Sequence, residues 1–273
     1  VTVALVTGAN RGLGKETARR LALRGATVLL GSRDPGEGEA AAAELRAAAD
    51  MGALTRPGTL TRPGTLARPG ALAGPGAFGG PAVEAIRLDV TRPADVEAAA
   101  ERIARDHGRL DVLVNNAGTI VPAQACATTA AHMRATFEVN VFGVVTAIHT
   151  LLPLLRRSAA PRIVNVSSTT ASLTLSATGA DLPGDATVRM AYTSSKAALN
   201  MLTVQYALAF AGDPELAHIK INSATPGYTA TAMNAFRGHR TVEEGAAAIV
   251  RLATLPDDGP SGGFYDDLGP APW

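Results

Sequence analysis

The sequence predicts an α/β fold of the doubly wound kind, a parallel sheet with helices on both faces, forming a single domain over residues 1–273. Three observations lead there. Strand and helix signals alternate from the first residue onward. Apolar residues make up 47 % of the chain while aromatics are only 4 %, so a large core must be built from Ala, Val, Leu and Ile. A glycine-rich turn, Thr7–Gly14, joins the first strand signal to the first helix signal.

The β-branched run Val1–Val6 is the first strand, and a helical pattern follows from about Gly12 to Arg24, with Ala18, Leu21 and Ala22 on one face and Gly25 where a C-terminal cap is expected. Thr27–Leu30 is the second strand and an alanine-rich helix fills about Gly36–Ala49. Ala82–Leu88 and Leu110–Val114 are strands, separated by a helix over about Ala94–Asp106. One long helix is expected from about Thr129 to Arg157, bending at Pro153. Ile163–Val166, the helix Ala191–Phe210 and Lys220–Ser223 come next, then a helix opened by the capping-box spacing of Thr241–Glu244 and ending near Thr254, and a short strand Gly263–Tyr265. In such sheets ligands bind beyond the carboxyl ends of the strands.

A hexad repeat interrupts this rhythm at about 50–81: ALTRPG at Ala53–Gly58, TLTRPG at Thr59–Gly64, TLARPG at Thr65–Gly70 and ALAGPG at Ala71–Gly76. Four or five such units are too few to cap a β-helix, so a loosely extended loop is expected, with a proline-rich ligand for a partner as the alternative. The loop enters the third strand at its amino end, opposite the ligand crevice, and is assigned no catalytic role.

Several function classes are set aside. A net charge of +1 gives no reason to expect nucleic acid or a membrane surface as partner. No apolar stretch is read as long enough to span a membrane, Val1–Val6 is too short for a signal peptide, and a soluble cytoplasmic protein is expected. Cys126 is the only cysteine and is expected to be a small buried hydrophobe. The five histidines show no metal-ligand spacing, so no metal site is expected.

The turn Thr7-Gly8-Ala9-Asn10-Arg11-Gly12-Leu13-Gly14 suits a pyrophosphate, because its glycines allow a tight turn and the helix behind it offers free N–H groups. Its spacing, Gly-x-x-x-Gly-x-Gly, differs from the usual dinucleotide fingerprint. The second strand ends Gly31-Ser32-Arg33-Asp34. Where an NAD site usually presents a carboxylate to the ribose hydroxyl, Ser32 stands instead and Arg33 follows. A guanidinium there, joined by Arg11, would bind a 2′-phosphate, so NADP(H) is the expected cofactor; Asp34 leaves an NAD-type site open.

Tyr192-Thr-Ser-Ser-Lys196 opens the fifth helix, and its four-residue spacing puts phenol and ammonium on one face. A free tyrosine has a pKa of about 10. A neighbouring positive charge is expected to lower it, so that Tyr192 exchanges a proton with a carbonyl or alcohol oxygen.

With Asn115-Asn116-Ala117-Gly118 after the fourth strand and Ser167-Ser168 after the fifth, these motifs resemble the short-chain dehydrogenase/reductase family over the whole chain except the repeat. The resemblance implies a Rossmann fold in which Asp89 and Val90 flank the adenine and Asn116, Ala117 and Gly118 line the cofactor cleft. It also implies that Asn140 supports a proton-relay water, Ser168 binds the substrate oxygen, Lys196 binds the nicotinamide ribose, and Pro226, Gly227, Thr229 and Thr231 belong to a segment closing over the nicotinamide. The carbonyl reductases are the subgroup it most resembles, through Arg11, Arg33 and the tail Thr241–Trp273, although the Ser168–Tyr192 segment is shorter than theirs. The expected activity is NADPH-dependent reduction of a small-molecule ketone or aldehyde, with the physiological direction and the choice between monomer and homo-oligomer open. A catalytically silent, NADP-binding sensor or scaffold on the same fold is the competing reading.

Overall fold

Strand-forming Val, Leu and Ile runs alternate with alanine-rich helices throughout the computed structural model, which describes residues 1–50, 82–180, 182 and 184–273. The hexad loop expected at about 50–81 lies outside them. The strands are β1 (Val3–Val6), β2 (Thr27–Ser32), β3 (Val83–Arg87), β4 (Val112–Asn115), β5 (Arg162–Val166), β6 (Lys220–Ala224) and β7 (Phe264–Tyr265). The helices are α1 (Gly12–Ala22), α2 (Pro35–Asp50), α3 (Pro93–His107), α4 (Ala130–Phe137), α5 (Gly143–Leu155), α6 (Leu173–Ala177), α7 (Met190–Ala211) and α8 (Val242–Ala253). The sheet runs β3-β2-β1-β4-β5-β6-β7 and every strand pair is parallel. Strand order reverses between β1 and β4, which opens a crevice at their carboxyl ends.

The period-two alternation of each strand divides the core in two. Leu5, Leu29, Leu113, Ile163 and Ile221 face one way and pack against α3, α5 and α7 through Ile103, Ile148, Leu151 and Leu199. Ala4, Val6, Val28, Leu30, Val114 and Val164 face the other way, onto Ala18 and Leu21 of α1, Ala42 and Leu45 of α2, and Ile249 and Leu252 of α8. Between sheet and α7 lies a buried polar chain. Asn115 Nδ2 donates to Asn165 Oδ1 at 2.9 Å, Asn165 Nδ2 donates to Thr203 Oγ1 at 2.9 Å, and Thr203 Oγ1 and Ser223 Oγ are hydrogen-bonded at 2.8 Å. The chain ties α7 to β4, β5 and β6, and each member satisfies the next, as burial of polar groups requires.

The structure corrects three expectations. The helix expected over Thr129–Arg157 is two helices joined by a π turn at Glu138–Phe142, while Pro153 lies within α5. The extra residue in that turn lets Asn140 point inward while Gly143 passes close to Val90. The stretch Ala130–Leu155 is also long and apolar enough, by length and composition, to cross a membrane. Its apolar part is that of a core helix: Val144, Ala147, Ile148, Leu151 and Leu155 explain its hydropathy by packing into the core. Cys126 is exposed, in a 3-10 turn at Ala125–Ala127, because the connection after β4 runs over the surface.

Gly143→Ala sets two effects against each other. Alanine gains about 1 kcal/mol of helix propensity. Its Cβ would lie 2.7 Å from Val90 Cγ2 and 3.1 Å from the Val90 carbonyl oxygen, and the latter cannot rotate away. Overpacking costs about 1–3 kcal/mol and should win. Urea unfolding should show a lower midpoint at unchanged slope; a raised midpoint would refute the close approach.

Candidate active site

The predicted site residues converge at the carboxyl edge of the sheet. Gly8, Asn10, Arg11, Gly12, Leu13 and Gly14 lie at the β1–α1 connection, Ser32 and Arg33 at the end of β2, and Asp89 and Val90 after β3. Asn116, Ala117 and Gly118 follow β4, Ser168 follows β5, and Pro226, Gly227, Thr229 and Thr231 follow β6. Tyr192 and Lys196 sit in the first two turns of α7, and Asn140 in the π turn.

The β1–α1 turn is locked to the end of β4. Thr7 Oγ1 accepts the amides of Asn116 at 3.0 Å and Ala117 at 2.9 Å, and Asn116 Nδ2 donates to the carbonyls of Thr7 and Gly8, both at 2.9 Å. Gly8 has φ +60°, and a Cβ there would lie 2.9 Å from Ala117 Cα. A Cβ on Gly14 would meet Asn116 Nδ2 and the Gly8 carbonyl oxygen, each at 2.5 Å. Above Gly12 there is room, the nearest atom to such a Cβ being Thr231 Cγ2 at 3.7 Å. So the post-β6 segment reaches over the turn.

These residues fit a dinucleotide. The N-terminus of α1 has no side-chain cap and no acidic residue in its first turn, whereas α4 and α8 are closed by capping boxes at Thr129 and Thr241. Its first N–H groups therefore stay available to an anion. Arg11 and Arg33 are exposed and form no ion pair with any described residue. Ser32 is buried and its hydroxyl donates to the Asp34 carbonyl at 2.7 Å, so Arg33 rather than Ser32 faces outward. Asp34 Oδ1 accepts the Glu37 amide at 2.9 Å, which commits that carboxylate to the start of α2. Asn10 Nδ2 donates to Glu37 Oε2 at 2.5 Å, and Asp89 Oδ1 takes the Thr91 amide and hydroxyl. Leu13 and Thr229 lie against Gly245 of α8.

At the reacting end, Lys196 is buried and its Nζ donates to the Val166 carbonyl, the last of β5, at 2.7 Å. Burial lowers its pKa to about 8. Tyr192 is half-buried; desolvation pushes its phenol above the ordinary value, and the neighbouring Ser168 hydroxyl, itself hydrogen-bonded to Thr170 Oγ1 at 3.0 Å, offsets part of the rise. The sequence reading had Lys196 lowering that pKa. The ammonium is instead drawn to the strand end, 5.9 Å from the ring centroid, and is itself desolvated. Both Asn140 amide hydrogens are used, Nδ2 donating to the Thr119 carbonyl and to Ser195 Oγ, both at 2.9 Å, while Oδ1 accepts the Thr119 amide at 2.8 Å. Ser195 Oγ in turn donates to the Tyr192 carbonyl at 2.7 Å. Sequence reasoning missed Thr7, Thr119 and Ser195. Thr7 had a local signal, its place directly before the glycine turn; the partners of Thr119 and Ser195 are brought together only by the fold. Among the described residues no cluster of His, Cys, Asp or Glu could hold a metal.

A family model described as short chain dehydrogenase matches residues 2–67 and 75–241. Short-chain dehydrogenase/reductase 1 of Saponaria officinalis is 34 % identical, over 96 % of this chain and 93 % of its own length. (+)-Neomenthol dehydrogenase of Arabidopsis thaliana is 31 % identical, over 96 % and 95 %. The solved structure of salutaridine reductase from Papaver somniferum superposes with a TM-score of 0.73 at 28 % identity, covering 97 % of this chain and 99 % of that one.

Two measurements test the geometry. With only Lys15, Lys196 and Lys220 present, side-chain NMR should resolve three lysines, one titrating near pH 8 and assigned by Lys196→Met; three midpoints near 10.5 would refute the desolvated Lys196. Below about pH 8 the buried charge costs stability in full, and the cost fades as pH rises toward 10.5, where the unfolded chain also loses its proton. Separately, Gly14→Ala should abolish dinucleotide binding, read by ligand-induced thermal shift, because the turn cannot close beside Asn116.

Proposed function

The chain belongs to the short-chain dehydrogenase family of oxidoreductases, and we propose that it reduces a small-molecule ketone or aldehyde to the alcohol with NADPH, Tyr192 acting as the general acid. The observation that carries this reading is the placement of the Tyr192 and Ser168 hydroxyls side by side, next to a buried Lys196 tied to the end of β5, so that both hydroxyls could hold one substrate oxygen. The names of the relatives, a reductase and a dehydrogenase, support reversible carbonyl–alcohol chemistry.

Bound NADPH would supply the hydride. The first turn of α1 would hold its pyrophosphate, and Arg11 and Arg33 its 2′-phosphate, with Asp34 withdrawn into the α2 cap. Asp89 and Val90, with Asn116, Ala117 and Gly118, would border the adenosine and ribose. Pro226, Gly227, Thr229 and Thr231 would close the nicotinamide end, where Thr231 already reaches Gly12.

Tyr192 stays protonated at neutral pH because burial raises its pKa, which suits an acid in the reductive direction. Ser168 orients the carbonyl oxygen that receives the proton. Lys196, with its pKa of about 8, is mostly protonated at pH 7 and keeps a second proton beside the site. Asn140 fixes Ser195 and through it the main chain of Tyr192, and would support a proton-relay water.

The test is NADPH oxidation, followed at the nicotinamide absorbance, against a panel of ketones, aldehydes and quinones, with NADH in parallel. Turnover should favour NADPH, and Arg33→Ser should weaken NADPH by about tenfold or more, the value of a charge-assisted hydrogen bond. Tyr192→Phe should cut turnover by at least about 100-fold while leaving NADPH binding within about twofold. Equal use of NADH would refute the role given to Arg33. Tight NADPH binding with no turnover on any carbonyl would favour the silent sensor.

A further inference from the structure

Two loops flank the reacting end from the β5 and β6 sides, and both are tied to one short segment that the proposed chemistry does not use. After β7 the chain turns at Asp266–Gly269, where Asp266 Oδ1 accepts the amides of Leu268 and Gly269, both at 2.8 Å, and Gly269 takes φ +157°. It then runs back beside β7, with Ala271 N donating to the Phe264 carbonyl at 2.8 Å and the Trp273 ring stacked on Phe264 at 5.6 Å between centroids.

From one end of this segment, Asp267 forms a two-point ion pair with Arg240, Nη1 to Oδ1 at 2.8 Å and Nη2 to Oδ2 at 2.7 Å. Arg240 belongs to the β6-side loop. Its main chain bonds Ala230 and Tyr228, and its side chain lies across Gly227, where a Cβ would meet Arg240 Cδ at 2.8 Å. From the other end, the Trp273 carbonyl accepts the Thr174 amide at 2.7 Å and Ser172 Oγ at 3.0 Å. Ser172 is buried, caps α6 through the Leu175 amide, and is joined to Ser168 by the 3-10 turn Thr169–Ala171. The same strap thus reaches, through Arg240, the segment bordering the nicotinamide end and, through Ser172, the loop that carries Ser168.

We propose that Asp266–Trp273 is a clasp that fixes the separation of the two walls of the substrate cleft, with Asp267 and Trp273 as positioning residues. A planar, bidentate pair and a doubly accepting carbonyl resist both sliding and rotation, as a single exposed contact would not. Releasing either end frees both walls, because the segment between them is rigidified by its own turn and by the ring stack. The role in catalysis rests on the carbonyl-reductase reading; the mechanical coupling does not.

The experiment pairs two readouts on the full chain with Asp267→Asn, Asp267→Glu and Trp273→Ala. The first is amide hydrogen exchange without ligand, comparing Thr174–Thr178, Thr229–Arg240 and, as an internal control, β4. Asp267→Asn should speed exchange at least tenfold in both loops, including at Thr174, which Asp267 does not touch, with β4 unchanged; Trp273→Ala should do the same at Ala230 from the other side. The second is steady-state turnover. The carbonyl KM should rise several-fold while kcat falls less, and Asp267→Glu should recover part of the loss. Faster exchange confined to the mutated end would overturn the clasp, whether or not the enzyme turns over. Coupled exchange in a protein without carbonyl turnover would keep the clasp and refute the reductase reading. Coupled exchange with unchanged KM in an active enzyme would overturn the positioning role.

Discussion

The cleft depends on how closely the β1–α1 turn lies against the end of β4. Gly8 and Gly14 have no room for a side chain there, and Thr7 and Asn116 replace the missing packing with four hydrogen bonds. This arrangement occupies the Thr7 hydroxyl and the Asn116 amide while the first amides of α1 keep no side-chain cap. The anion-accepting character of the turn is therefore what remains once the close approach has been satisfied. It also sets the height of Gly118, which lies within about van der Waals reach of both Lys196 Nζ and Asn140 Oδ1, at 3.6 and 3.5 Å from a Cβ placed there. The glycine turn and the Tyr192–Lys196 end of the crevice are thus spaced by one strand terminus.

The other half of the site is set by α7. The Asn115–Asn165–Thr203–Ser223 chain holds the helix against three strands, and the Lys196 ammonium adds a further bond to the end of β5. A long, flexible side chain is thereby made stationary, at the cost of desolvating its charge. Tyr192 sits one turn earlier on the same helix, close to Ser168 at the end of β5. The three side chains are positioned by two elements, β5 and α7, that are themselves bolted together.

Much of this was legible because its determinants are local. The alternation of strand and helix, the glycine turn and the Tyr192–Lys196 spacing each depend on residues a few positions apart, and the order of the motifs supplied the rest. What failed was what depends on direction or on distant partners. Helical spacing put Lys196 on the same face as Tyr192, yet the side chain's reach to Val166, thirty residues away, decides the electrostatics. The π turn was hidden because hydropathy continues unbroken through Glu138–Phe142; the clue was Gly143, a poor helix former kept where Val90 comes close. Cys126 was misjudged because residue type predicts burial only on average, and a surface turn overrides it. The sequence also gave no sign that Arg240 and Asp267 would meet, since one follows β6 and the other β7.

The placement of the hexad repeat has a consequence for how this chain can vary. α2 ends at Asp50 and β3 begins at Val83, and the two ends meet the sheet at its outermost strand, on the rim away from Gly8, Ser168 and Tyr192. A flexible connection lengthened at such a place costs roughly 0.6 kcal/mol of closure entropy for each doubling. The crevice residues Gly8, Asn116 and Ser168 follow β1, β4 and β5, so they share no strand with either end of the repeat.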